Sequence, residues 1–180
     1  MVGLDIALTV AGVVAPILWE KIEQRLTKTE IKETLKAGIS AAKQQEEKLQ
    51  ESSQLFYRSQ PAGFQGVSNF LKQFFSRNEV QEELRKPLQG KGLPELDLLV
   101  AAFKEEAKAH PQIQPKEERI KPWLENFIDG YSKKSTYLRF QVAKEDYFEQ
   151  LANWYDDVKF AGMAVPRQEV EKSAQLDKIF

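Results

Sequence analysis

No cysteine occurs among the 180 residues, and there is only one histidine. The first absence removes a disulfide framework, a zinc ribbon, an iron–sulfur ligand set and a cysteine nucleophile. The second removes most histidine-built metal centres. No cofactor is implied, and a cysteine-free chain points to the cytoplasm. Excess charge of one sign is also missing: 26 Lys and Arg face 27 Asp and Glu, for a net charge of -1. The basic footprint of a DNA- or RNA-binding surface is therefore absent, and nucleic acid is excluded as a partner. Long apolar runs are scarce. The best candidate, Met1 to Trp19, is interrupted by Asp5 and Pro16 and closed by Glu20 and Lys21, short of the roughly 20 apolar residues that span a bilayer. It lacks the basic start and the small-residue cleavage site of a secretory signal. No segment alternates polar and apolar residues for long enough to make a strand. What is present is globular composition, 42% apolar and 29% charged, in a length that suits one domain.

The chain reads as a succession of helices. The first, Met1 to Trp19, has no polar face: Ile6, Leu8, Val13, Val14, Ile17 and Leu18 spread around it, so it is expected to be covered on all sides by the domain or by a partner. A second, from Lys28 to Tyr57 with Thr27 or Thr29 as N-cap, carries Ile31, Leu35, Ile39, Ala42, Leu49 and Phe56 on one stripe and completes a hairpin. Lys21, Arg25, Lys28, Lys32 and Lys36 invite a membrane-surface reading, but Asp5, Glu20, Glu23, Glu30 and Glu33 balance them within the first 36 residues. A solvated face laced with ion pairs fits better. Gln60 to Gly63 break the pattern, and 15 of the 19 aromatic residues lie between Phe64 and Phe160. Four helices are expected next, one over Phe64 to Ser76, a short one from Asn78, one from Pro94 to the break at His110 and Pro111, and one from Pro115. That last helix has the cleanest period, through Ile120, Trp123, Leu124, Phe127, Ile128 and Tyr131. Gly130, Ser132 and Ser135 suggest a loop after it. Residues 136 to 159 then read as a central helix touched from several sides, organised by Tyr147, Leu151 and Trp154, with a weak helix from Arg167 to follow.

Chemistry-bearing constellations are thin. Gly90-Lys91-Gly92 lacks the hydroxyl that follows the lysine in a phosphate loop, and Arg85 stands where its first glycine belongs. His110 sits at a helix end, where an imidazole meets the final carbonyls more readily than a substrate. Glu105–Glu106, Glu117–Glu118 and Asp156–Asp157 are sequence neighbours, about 100° apart on a helix, and do not form a facing acid–base pair. Asp156 and Asp157 oppose the dipole at a helix end and suggest a compensating interdomain salt bridge.

Three stretches carry a resemblance: YLRFQVAKEDYFEQLANWYDDVKFAGMAVP at Tyr137 to Pro166, NEVQEELRKPL at Asn78 to Leu88, and PELDLLVAAFKE at Pro94 to Glu105. They resemble the helical N-terminal regions of cyanobacterial NACHT-type (STAND) signal-transduction NTPases. The resemblance implies that a nucleotide-binding module follows in the parent protein, and it assigns no catalytic residue. The first 57 residues are similar to the small-residue apolar helices of membrane-perturbing bundles such as fungal HeLo-type domains.

These readings combine into an all-α fold of seven to eight helices, with a hairpin over residues 1–57 packed on an aromatic-rich bundle over 61–180 in one structural unit; the bundle is expected to keep its fold when the hairpin is removed. The expected function is a non-enzymatic signalling and protein-interaction module that docks on a protein partner or on its own NTPase module. The alternative is a membrane-active effector whose first helix is released on activation. The contact residues for either are Ile6, Leu8, Val13, Val14, Ile17 and Leu18.

Overall fold

The computed structural model describes residues 5–22 and 25–164, with side chains to residue 158. Among these residues the chain forms six α-helices and no strand: α1 (Ile6–Glu20), α2 (Lys28–Glu46), α3 (Gly63–Ser76), α4 (Asn78–Leu88), α5 (Leu96–Ala109) and α6 (Glu117–Ala164). Two 3₁₀ turns, Glu51–Ser53 and Tyr57–Ala62, join α2 to α3. The all-α expectation holds, with six helices where seven or eight were expected. One of the missing boundaries is the loop foreseen at Gly130 to Ser135, which is continuous helix. The helix expected from Arg167 lies outside the described residues. The chain divides into two compact units, Met1–Arg139 and Phe140–Phe180. Residues on both sides of Pro61 belong to the first.

Local chemistry accounts for the helix starts and stops. Asp5 caps α1, its carboxylate accepting from the Ala7 amide at 3.0 Å. Thr27 and Glu30 form a reciprocal capping box on α2. The hairpin between them is stitched by the Trp19 indole N–H, which donates to the Leu26 carbonyl at 2.8 Å, and by Lys28 Nζ, 4.6 Å from the Trp19 ring centre. Gly90 and Gly92 hold φ of +71° and +110° in the turn after α4, a region that glycine enters without strain.

The second helix ends eleven residues earlier than its apolar stripe suggests, at Glu46 instead of Tyr57. Glu46 is buried, and its carboxylate accepts from the Leu55 amide at 2.6 Å and from the Arg119 guanidinium. The Lys116 amide in turn donates to the Leu55 carbonyl at 2.8 Å. A chain folded back to satisfy a buried carboxylate leaves the helical path.

In the first unit, α1 packs on α2, α3 and α4, while α3 also meets α4 and α5. Its centre is aromatic: Phe70 and Phe103 lie 5.0 Å apart edge to face, Phe74 and Phe103 5.1 Å, Phe75 and Phe127 4.8 Å. Tyr131 is fully buried and donates its hydroxyl to the Leu84 carbonyl at 2.8 Å. Gly130 is a notch: a Cβ there would lie 2.6 Å from Ala41 Cβ and 2.9 Å from the Ala37 carbonyl oxygen. Gly38 faces the same crossing, where a Cβ would lie 2.7 Å from the Phe127 ring. Two small residues thus let α2 and α6 approach backbone to backbone.

Candidate interaction surface

The early part of α6 shows what an inward register looks like. Ile120, Trp123, Leu124, Phe127, Tyr131 and Leu138 are all buried, and Ser135 between them donates to the Tyr131 carbonyl at 2.8 Å. Continued at the same three- and four-residue steps, that register meets Val142, Glu145, Glu149, Ala152 and Asp156. It runs into acids and cannot remain a core stripe.

From Phe140 onward a different set of positions is apolar. Phe140, Tyr147, Phe148, Leu151, Trp154, Tyr155 and Val158 follow steps of three, four and seven, and every one is exposed. Trp154 is 63% open and Phe140 64%. These residues were expected to form the middle of the fold, and the structure corrects that: of the stretch, Leu138 alone is buried hydrophobic core. The period was read correctly, but the register of the buried stripe ends at Leu138. At 100° per residue the exposed set occupies one side of the helix, and Glu145, Glu149 and Asp156 fall on the other. Between residues 140 and 158 one lysine, Lys144, stands against five acids, Glu145, Asp146, Glu149, Asp156 and Asp157. Lys144 Nζ lies 5.8 Å from the Phe148 ring centre, and Tyr147 and Phe148 meet edge to face at 5.9 Å. The surface is thus apolar, aromatic and backed by negative charge. Asp156 and Asp157, the residues expected to form an interdomain bridge, are both exposed, Asp156 on the acidic side of the helix.

The six contact residues expected on the first helix separate. Val14 and Leu18 are buried in the core of the first unit; Ile6 and Ile17 are half-buried; Leu8 and Val13 are 43% and 46% exposed. The helix was expected to be covered all round. Instead its small residues Ala7, Ala11 and Ala15, with Val10, Val14 and Leu18, make one buried face, and the opposite side is open.

Charged groups elsewhere serve the frame. Arg77, at the start of α4, reaches Glu79 at 2.5 Å, Glu105 at 2.8 Å and Glu106 at 3.1 Å, tying α4 to the end of α5. The hydrogen bond to Glu79 holds the guanidinium above its ordinary pKa, and Glu79 is held below the usual carboxylate range, first by its own amide and then by Arg77. His110 Nδ1 lies 3.0 Å from the Glu106 carbonyl, where a helix-end imidazole was expected. An apolar pocket of about 380 Å³ opens beside Glu46, walled by Ile39, Leu55, Phe64, Val67 and Trp123. Among the described residues there is no group of three or more potential metal ligands, and no helix is long and apolar enough to cross a membrane.

Sequence reasoning offered the first helix as the contact surface and did not single out the exposed apolar stripe of α6. The signal was available in the 3–4 spacing from Phe140 to Val158 with acids opposite. Periodicity identifies an apolar face without saying whether the chain itself covers it. Compared with known families, residues 2–165 match the family described as NACHT N-terminal Helical domain 2. No curated protein and no solved structure matches the chain.

Proposed function

The chain belongs to the NACHT N-terminal helical domain 2 family, and from that premise we propose that it is a non-enzymatic, cytoplasmic signalling module which works through protein contact, placed ahead of the NTPase of a larger protein. The observation that carries this reading is the exposed aromatic stripe of α6. Large contiguous apolar patches on soluble domains mark interaction sites, and Trp and Tyr dominate the energetics of such contacts. The excess of acids behind the stripe disfavours nucleic acid and anionic lipid, both of which call for Lys and Arg. In this reading Asp156 and Asp157 serve as ion-pair partners for basic groups on the NTPase module.

The test is made in the parent protein. Leu151→Asp with Trp154→Asp should change the rate of nucleotide hydrolysis by the NACHT module several-fold, with the far-ultraviolet circular dichroism of the domain unchanged. Unaltered hydrolysis and unaltered signalling output would remove the stripe from the mechanism. Dye release from liposomes by the domain itself, abolished by the same substitutions, would replace the reading with a membrane effector.

A further inference from the structure

We propose that the stripe on α6 is covered by a second copy of this chain, the two segments from Phe140 to Val158 running antiparallel about a two-fold axis near Glu149. The inference rests on the protein-contact reading and names the occupant of that surface.

The spacing is that of a helix–helix seam. In heptad terms Lys144, Leu151 and Val158 share one core position, and Phe140, Tyr147 and Trp154 share the other, over three consecutive heptads. All of these are solvent-exposed. A like-charged partner is tolerated because four of the five acids stand clear of the seam. Glu145, Asp146, Glu149 and Asp156 occupy outer positions, and the positions flanking the seam are Gln141, Ala143, Phe148, Gln150, Tyr155 and Asp157. Two copies therefore meet without opposing rows of acid.

The side chains choose the direction. A parallel pair sets Lys144 against Lys144 of the partner subunit, two like charges in one layer, and stacks two indoles in another. The antiparallel pair sets each residue of one core position against the other. Phe140 then faces Val158 of the partner subunit, Tyr147 faces Leu151 of the partner subunit, and Lys144 faces Trp154 of the partner subunit. A large side chain meets a smaller one in the first two layers, and in the third an ammonium lies over an indole, the best of the aromatic faces for a cation. Phe148 meets Phe148 of the partner subunit beside the axis. Each of the three layers is made twice, and the Phe148 contact once across the axis, as a closed two-fold interface requires.

The chain itself, at micromolar concentration, provides the experiment. Sedimentation equilibrium should give twice the 20.7 kDa of the monomer, and Leu151→Asp or Trp154→Asp should return the monomer mass with helicity unchanged. Since the chain has no cysteine, an introduced thiol reports alone: Gln150→Cys should form a disulfide-linked dimer on mild oxidation, and Ala143→Cys should not. A monomer at all concentrations overturns the proposal, as does a dimer indifferent to Leu151→Asp. Cross-linking at Ala143→Cys as readily as at Gln150→Cys, two equivalent positions in a parallel pair, overturns the antiparallel arrangement, and binding of wild-type protein to phosphatidylcholine vesicles through Trp154 overturns the choice of occupant. A monomer whose stripe variants still alter hydrolysis in the parent protein removes the dimer and leaves the module reading standing. A dimer without effect on the parent does the reverse.

Discussion

Phe103 and Trp154 are both large aromatics on apolar helical stripes, and nothing local distinguishes them. Phe103 is fully buried, whereas Trp154 is mostly open. Phe103→Ala should cost about 3–5 kcal/mol by urea denaturation, and Trp154→Ala, in monomer, should stay within about 0.5 kcal/mol. Tyr131 gives a pH signature. Burial holds its phenol well above the ordinary tyrosine value. Below the unfolded pKa of about 10, both states keep the proton and stability is unaffected. As pH rises past it the unfolded chain releases the proton and the folded one does not, so stability falls, by up to about 1.4 kcal/mol per pH unit until the folded value is reached. Tyr131→Phe should remove that alkaline slope and cost about 1 kcal/mol at neutral pH through the lost bond to the Leu84 carbonyl. Urea midpoints compared on either side of about pH 10 separate the two effects. The burial of Ile120, Trp123, Phe127 and Tyr131 was legible in the sequence because their period is clean and one face is polar. The exposure of Trp154 was not, because a seam awaiting a partner has the same period as a core.

At the scale of elements, local signals translated well. The breaks at Pro61 to Gly63, at Gly90 to Gly92 and at His110–Pro111 act through φ and missing donors, and they stand where the sequence put them. Signals that depend on distant chain did not translate. Glu46 ends α2 because of Leu55 and Arg119, and Gly130 is small because α2 crosses it. The glycines make this testable. Gly12 is open, with its nearest neighbour 3.9 Å from a new Cβ, so Gly12→Ala should stabilise α1 by up to about 1 kcal/mol. Gly38→Ala carries the same propensity gain and a clash with Phe127, and should be net destabilising by about 1–3 kcal/mol. Thermal melts of the two variants should move in opposite directions. Thr27→Ala, which removes half of the capping box, should cost about 1 kcal/mol in the same assay.

For the whole molecule, the all-α class and the weight of aromatic residues were readable from composition and period. The sequence shifts character at Pro61, and the chain divides into compact units between Arg139 and Phe140. Composition records where aromatics are dense, and compactness depends on which of them face each other. Because α1 packs on α3 and α4, and α2 meets α6 at Gly38, deleting residues 1–57 strips buried faces from the remainder. The remaining fragment should lose its near-ultraviolet circular dichroism and its cooperative transition, against the expectation of an independent bundle from residue 61.

The Glu46 clamp joins residues that are 73 positions apart, so it closes only after the start of α6 has docked. That makes the Leu55 amide a timekeeper for assembly. Its proton is held by a side chain that stays in place only while Arg119 is beside it, in a segment of short 3₁₀ turns that offers little protection of its own. Deuterium uptake at Leu55 should therefore follow sub-global opening of α6 instead of fraying at the end of α2. Arg119→Gln should accelerate uptake there while leaving the amides of α5 at their original rates.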